Sequence, residues 1–153
     1  MAGGCLARQL SLEMPQLSVC LIDGKTDFDY GVGESTVEVF DDYALRNLQL
    51  GPYLNRHHIV KHGLRFWFDS ANRDLPVEEM SEQGRSHYTI LNRGFQIDRS
   101  RFDRDLCRIN EKNGVSVKLG CRIPTGSEIQ FGDEVHTVPT TDGPLYCRYL
   151  VDA

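Results

Sequence analysis

Apolar residues recur along the chain at two spacings, one helical and one strand-like, and the two alternate from the first residues onward. A helical spacing over residues 3–13 forms an apolar face from Leu6, Ala7, Leu10 and Met14. Pro15 follows directly and predicts the end of this helix. The run LSVCLID, residues 17–23, is almost continuously apolar, as is typical of a strand covered on both faces.

A second helix is predicted from a capping signal. Ser35 and Glu38 have the S-x-x-E spacing of a capping box, which places the helix start at Ser35. Its apolar stripe is formed by Val37, Phe40, Ala44 and Leu48. Gly51 and Pro52 predict its end, because glycine and proline are common just after a helix.

Residues 58–69 alternate between two sides, which predicts a strand. One side of it carries Val60, His62, Leu64, Phe66 and Phe68. The other side carries Lys61, Gly63, Arg65 and Trp67. Residues 69–95 then form a polar, irregular excursion, a kind of surface segment that often carries function.

The last third of the chain predicts a third helix followed by strands. Asp98 is its expected cap and Gly114 its expected end. The inner face of this helix is formed by Phe102, Leu106 and Ile109. A strand is expected over 115–119, a hairpin turn at Gly132 and Asp133, and a final apolar strand over 145–153.

This order of elements predicts an α/β, or mixed α+β, nucleotide-binding domain, and 153 residues amount to about one domain. A parallel sheet that opens on a helix lacks the strand that should lead into that helix. We therefore expect the first strand to lie upstream of Met1.

Composition and charge exclude several other classes of protein. The net charge is −5, with both signs mixed and no basic block, so nucleic acid is not an expected partner. No apolar run approaches the roughly 18 residues of a membrane span, and polar residues interrupt the apolar start, which argues against a signal peptide. The five cysteines have no C-x-x-C spacing, which favours buried thiols in a reducing cytoplasm.

Gly3 and Asp23 have the spacing of a dinucleotide-binding unit. In such folds a glycine turn lets the backbone approach the pyrophosphate at a helix N-terminus, and an acidic residue about 20 positions later binds the ribose. Asp23 stands 20 residues after Gly3 and ends the apolar run 17–23. The alternative is a flexible glycine tip and an aspartate that only begins a loop.

Several motifs, in this order, resemble the flavin-dependent halogenase group and its monooxygenase-like relatives. They are AGGCLA (2–7), LID ending at Asp23, GVGEST (31–36), KHGLRF (61–66), QIDRSRFDRDL (96–106) and the final YLVDA. Physical chemistry agrees at GVGEST, where Gly31 and Gly33 allow close backbone approach. A helix beginning at Ser35 and Thr36 would offer free N–H groups to flavin or phosphate oxygens.

The resemblance implies a Rossmann-like FAD-binding domain of the flavoprotein monooxygenase type. Residues 1–153 would form part of it, lacking the first strand and truncated at the C-terminus, with 69–95 reaching towards the substrate region. The residues implied to bind FAD are Ala2, Gly3, Asp23, Gly33, Glu34, Ser35, Thr36 and Arg99. A solvated surface arginine is the alternative for Arg99.

The same resemblance implies an FAD-dependent oxidoreductase that uses reduced flavin and oxygen, with residues 1–153 inactive alone. An organic small molecule would be the substrate, and a halide and a flavin reductase would be further partners. Reaction type stays open between halogenation, hydroxylation and reduction, because the family's W-x-W-x-I-P segment is not in this sequence. A non-catalytic nucleotide-binding or partner-binding module is the alternative from another class.

Lys61 is the candidate catalytic residue. In the related halogenases the lysine of this motif binds or captures the oxidised halogen, which requires an amine held on a rigid strand. The alternative is a solvent-exposed strand lysine. His57, His58 and His62 are also close in sequence, but no carboxylate or cysteine completes a metal-binding spacing, and no metal site is predicted.

Overall fold

A computed structural model describes residues 1–61, 65–68, 75–84 and 94–153. The helices are α1 (Ala2–Glu13), α2 (Glu38–Arg46), α3 (Gly51–His57) and α4 (Arg99–Lys112), with a 3-10 turn at Val77–Glu79. The strands are β1 (Cys20–Asp23), β2 (Ile59–Lys61), β3 (Arg65–Phe68), β4 (Ser81–Gly84), β5 (Gly94–Gln96), β6 (Ser116–Leu119), β7 (His136–Val138) and β8 (Leu145–Cys147).

The chain divides into two compact units. The first unit combines Met1–Val32 with Asp98–Ala153, and the second is Gly33–Ile97. None of the helices within the described ranges is long and apolar enough to cross a bilayer.

In the first unit, a parallel pair of strands lies beside two packed helices. β1 pairs with β6, from Cys20 opposite Ser116 to Asp23 opposite Leu119. α1 packs on α4 at Gly4, where a Cβ atom would lie 2.9 Å from Leu106 Cδ2. Glycine therefore permits this close helix contact, and the Asn110 side-chain amide donates to the Gly4 carbonyl at 2.9 Å.

The predicted helix after Asp98 is confirmed, because its signals are local. The Asp98 carboxylate accepts the Arg101 N–H at 3.2 Å, and Phe102 and Leu106 are buried. Gly114 follows α4 with a φ of +86°, the left-handed conformation expected after a helix. The predicted turn at 132–133 is also found, since Gln130 and Thr137 exchange backbone hydrogen bonds across it.

Two expectations for the first unit are wrong. Of the expected face only Ala7 is buried, and α1 buries Gly4, Cys5 and Arg8 beside it, whereas Met14 is exposed. The small Gly4 brings α4 against that side of α1, which leaves Leu6 and Leu10 only half-buried. The strand expected over 17–23 is confined to β1 and is not covered on both faces, because Cys20 is exposed and the other residues are half-buried.

The second unit combines two helices with two antiparallel strand pairs. β2 pairs with β5, placing Lys61 opposite Gly94, and β3 pairs with β4. Its buried apolar side chains are Ala44, Leu48, Leu50, Leu54, Phe95 and Ile97.

The predicted boundaries in the second unit need correction. α2 begins at Glu38 after an extended Val37, so the capping box at Ser35 does not form, and Val37 is 60% exposed. Gly51 and Pro52 open α3, because proline is well suited to a first helical turn.

The single strand expected over 58–69 is described as two strands with different partners, β2 and β3. Phe66 and Phe68 are about half exposed, so they are not core residues of this unit. The expectations for His62, Gly63 and Leu64 lie outside the described residues, as do 69–74 and 85–93 of the polar excursion.

The Asn110 contact with Gly4 predicts a measurable contribution to stability. We expect Asn110→Ala to lower the free energy of unfolding by about 1–3 kcal/mol, because a buried hydrogen bond between the two helices is lost. Asn113→Ala is the matched control, since its amide also donates to a backbone carbonyl, that of Ile109, but in solvent. Urea unfolding of both variants checks this, and equal losses would contradict a specific role for the helix contact.

Candidate functional site

The GVGEST motif ends in an extended segment that pairs with the β5 region. The Thr36 N–H donates to the Phe95 carbonyl at 3.0 Å, and the Ile97 N–H donates to the Glu34 carbonyl at 2.7 Å. Between them, Ser35 forms an antiparallel bridge with Gln96. Residues 34–36 therefore lie along β5 as a short added strand.

This pairing corrects the expected helix N-terminus at Ser35 and Thr36. The Thr36 N–H already has a backbone partner, so it is not a free donor for a flavin or phosphate oxygen. Gly33 leads into the segment with a φ of +96°, a backbone conformation that favours glycine. Gly33 and Ser35 are exposed, whereas Glu34 is half-buried and Thr36 is buried.

Lys61 reaches from β2 to this segment. Its ammonium donates to the Ser35 hydroxyl at 2.8 Å and to the Thr36 carbonyl. The third ammonium hydrogen has no partner among the described residues. Its stem crosses Gly94, where a Cβ atom would lie 2.8 Å from Lys61 Cε. Lys61 is therefore anchored at both its stem and its head, unlike a strand lysine that extends freely into solvent.

Asp41, on α2, lies next to Thr36 and is 1% exposed. Its Oδ1 atom is 2.6 Å from the Thr36 hydroxyl, and Oδ2 has no hydrogen-bond partner within the described part of the chain. Burial raises the pKa of Asp41, while the Thr36 hydroxyl, the Lys61 charge and the Phe95 N–H act in the opposite direction. A carboxyl group is thus enclosed beside the candidate lysine.

The first unit contains the other candidate positions. A Cβ atom on Gly3 would lie 3.2 Å from Leu21 Cδ1, so Gly3 lets the start of α1 pack closely on β1. Ala2 is exposed in the same first turn. Asp23 ends β1, and its Oδ1 atom accepts the Lys25 N–H at 2.9 Å. Close helix–strand packing by glycine and an acid at a strand end are both features of dinucleotide-binding units.

Arg99 makes protein contacts with all three guanidinium nitrogens. Nε and Nη2 donate to Asp103 at 3.0 and 2.7 Å, and Nη1 donates to the Val32 carbonyl at 2.6 Å. The side chain is only 18% exposed, so it is not the solvated arginine considered as an alternative. Arg99 fixes the end of the 31–32 loop against α4.

A cavity of about 280 Å³ lies in the first unit beside residues 26–28, which follow β1, and Leu119, which ends β6. Ligands of open α/β sheets bind beyond such carboxyl strand ends. Arg104 borders the cavity and donates to Asp27 and to the Phe28 carbonyl at 3.2 and 3.3 Å.

Within the second unit, the structure brings Ser35, Thr36 and Lys61 into contact, and it adds two residues that sequence reasoning missed, Asp41 and Gly94. Asp41 had a signal, because it falls on the helical face of Ala44 and Leu48 where an apolar residue is expected. Gly94 had the weaker signal of a glycine in a strand.

No protein-family model matches the chain. It is 33% identical to the flavin-dependent halogenase ChlA of Dictyostelium discoideum over 185 aligned positions, which take in 99% of this chain. The chain spans 29% of the length of that relative. The resemblance to flavin-dependent halogenases indicated by the motifs is thereby confirmed.

Solved structures share the fold. The halogenase PltM has a TM-score of 0.72 at 16% identity, covering 97% of this chain and 31% of that one. The myxobacterial chondrochloren halogenase CndH has a TM-score of 0.69 at 21% identity, covering 94% and 32%. A flavoprotein/dehydrogenase from Cytophaga hutchinsonii has a TM-score of 0.69 at 16% identity, covering 96% and 35%. At these identities the likeness concerns the fold alone, and it confirms the predicted mixed α/β fold.

Proposed function

We propose that this chain contributes the FAD-binding part of a flavin-dependent oxidoreductase of the halogenase type, with Lys61 as its catalytic residue. The observation that carries the proposal is the Lys61 ammonium, which donates to Ser35 and Thr36 and keeps one hydrogen without a partner in the described part of the chain. Residues 1–153 would be part of the FAD domain, with 69–95 reaching towards the substrate region.

The residues present fit FAD at one end of the first unit. Ala2 and Gly3 lie in the first turn of α1, whose N–H groups have no partners within the helix. The close approach of Gly3 to Leu21 and the position of Asp23 at the end of β1 support a pyrophosphate and ribose site there. When bound, FAD supplies the reducing equivalents that activate oxygen.

The second unit supports a different set of roles. Gly33, Glu34, Ser35 and Thr36 would approach the cofactor through the exposed side of their extended segment rather than through a helix N-terminus. Arg99, which belongs to the first unit, would act by fixing the loop at Val32, because each of its three guanidinium nitrogens donates to a protein oxygen.

Lys61 would hold and orient an electrophilic halogen species beside the substrate. Its ammonium would donate its remaining hydrogen to that species, while Ser35 and Thr36 fix the direction of the hydrogen. Orientation of this kind lowers a barrier because the geometry exists before the reaction begins. Lys61 would thus orient the halogen species and would not take part in forming it.

An organic small molecule and a halide would be the reactants, and a flavin reductase would be a partner. All five cysteines are free thiols, although only Cys5 and Cys121 are buried as expected and Cys20 is exposed. Free thiols support a reducing compartment such as the cytoplasm. The fold shared with a flavoprotein/dehydrogenase supports an FAD-dependent reductase or hydroxylase as the second candidate.

The Lys61 proposal is tested in the longer protein that contains this chain. We expect Lys61→Ala to leave flavin binding and flavin reduction nearly unchanged, while halogenated product falls about a hundredfold or more, because orientation of the oxidant is lost. The exposed Lys112→Ala, on α4, is the control and should change neither. Product and flavin turnover are measured in the same sample. A joint fall of both would make Lys61 structural, and the absence of halogenated product in the wild type would favour the reductase or hydroxylase.

Asp23 provides a separate test of the cofactor site. We expect Asp23→Ala to weaken FAD binding by about 1–3 kcal/mol, because the ribose hydroxyls lose a charged acceptor. The exposed Asp133→Ala, in the hairpin, is the charge-matched control. Titration of the apo longer protein with FAD measures both dissociation constants. Equal values for wild type and Asp23→Ala would remove Asp23 from the site.

A further inference from the structure

The Thr36 hydroxyl lies at the centre of three short contacts. Its Oγ1 atom is 2.6 Å from Asp41 Oδ1, 2.7 Å from the Phe95 carbonyl oxygen and 3.0 Å from the Phe95 nitrogen. All three distances are those of hydrogen bonds. The Phe95 N–H donates to the hydroxyl, which leaves two oxygen neighbours to be satisfied.

A threonine hydroxyl has a single hydrogen, so it donates to only one of those two oxygens. If Asp41 were ionised, either its carboxylate or the Phe95 carbonyl would face Oγ1 at hydrogen-bond distance with no hydrogen between them. A proton on Asp41 removes the conflict, because Asp41 then donates to Oγ1 and Thr36 donates to the Phe95 carbonyl. The hydroxyl accepts two bonds and donates one, its full capacity.

We propose that Asp41 is a positioning residue for Lys61, acting as a neutral acid that donates to the Thr36 hydroxyl. Thr36 also supplies the carbonyl that accepts from the Lys61 ammonium, so the same residue links the enclosed acid to the lysine. The inference deepens the proposed function, on which its catalytic meaning rests, while the hydrogen-bond arrangement itself is independent of any reaction.

The surroundings of Asp41 favour the neutral form. The side chain is 1% exposed, and Oδ2 has no donor among the described residues, whereas a buried carboxylate ordinarily requires several. Lys61, on β2, is the charged group that acts on Asp41, and it forms no ion pair with it in the described structure. β5 carries no titratable side chain, and the ionisable side chains of α3 are Tyr53, Arg56 and His57.

Gly94 completes the arrangement. A Cβ atom there would lie 2.8 Å from Lys61 Cε and 3.5 Å from Asp41 Oδ2, so the lysine stem and the acid occupy the space above the same glycine. Lys61 and Asp41 therefore lie on the same side of Gly94, and the Thr36 carbonyl holds the lysine at its head.

The test compares Asp41→Asn with Asp41→Ala in this chain. An asparagine amide donates to Thr36 as the neutral acid does, so we expect it to preserve the arrangement, whereas alanine cannot donate. The direct readout is the NMR signal of the Lys61 side-chain ammonium, assigned by its loss in Lys61→Met. We expect alanine to speed hydrogen exchange of this ammonium about three- to tenfold, the factor that one lost hydrogen bond represents, and asparagine to leave it nearly unchanged.

Stability against pH gives the second readout. The pKa of Asp41 is raised in the folded chain. The contribution of Asp41 to the free energy of unfolding is therefore fully present below the unfolded carboxyl pKa of about 4, and it is lost as the pH rises through the folded pKa. We expect Asp41→Asn to abolish this loss of stability with rising pH. Asp42→Asn is the matched control, because Asp42 lies next to Asp41 on α2 but is half-exposed and pairs with Arg46 at 2.6 Å.

Two results would overturn the inference. One is an asparagine variant whose Lys61 ammonium exchanges as fast as in the alanine variant. The other is a wild-type stability that rises with pH relative to Asp41→Asn, which would mean that Asp41 is a carboxylate in the folded chain.

In the longer protein, Asp41→Ala should lower the amount of halogenated product per flavin oxidised, and Asp41→Asn should keep it near the wild-type amount. If hydrogen exchange of the Lys61 ammonium changes as expected but the amount of product does not, the proposed function is wrong. The inference that Asp41 positions Lys61 then still holds.

Discussion

The second unit depends on Thr36, all of whose polar groups are bonded. Its N–H donates to the Phe95 carbonyl, its hydroxyl contacts Asp41 and Phe95, and its carbonyl accepts from Lys61. A single residue thus joins α2, β5 and β2 through hydrogen bonds in a largely dry environment, where an unmade bond is costly. This constraint explains why residues 34–36 are extended and why α2 begins only at Glu38.

The two motifs that carry the clearest resemblance to flavin-dependent halogenases are in physical contact. GVGEST supplies Ser35 and Thr36, KHGLRF supplies Lys61, and the lysine ammonium bonds to both residues of the first motif. A segment proposed to approach the flavin therefore also fixes the residue proposed to handle the oxidant. This contact would keep the flavin-binding segment and Lys61 in a constant geometry. A functional side chain requires rigid support of this kind.

Local signals predicted α4 and its surroundings well, because the Asp98 cap, the Phe102 and Leu106 spacing and Gly114 act within a few residues of one another. The same reasoning failed at Ser35. There the S-x-x-E pattern predicts a helix, but Ser35 and Thr36 pair with Gln96 and Phe95 instead. These partners lie about 60 residues away in sequence, so a local pattern cannot predict the pairing. Asp41 was missed for a related reason, since its partner Thr36 is adjacent only once the segment is extended.

Amide hydrogen exchange of this chain tests the central claim, that the GVGEST motif ends as a strand on β5 and not as a helix N-terminus. In the strand arrangement the Thr36 N–H is bonded to the Phe95 carbonyl and buried, so we expect it to be protected to a degree similar to the Ile97 N–H. In a helix that begins at Ser35, the Thr36 N–H would belong to the unbonded first turn. Exchange of Thr36 as fast as that of the exposed Gly33 would contradict the account.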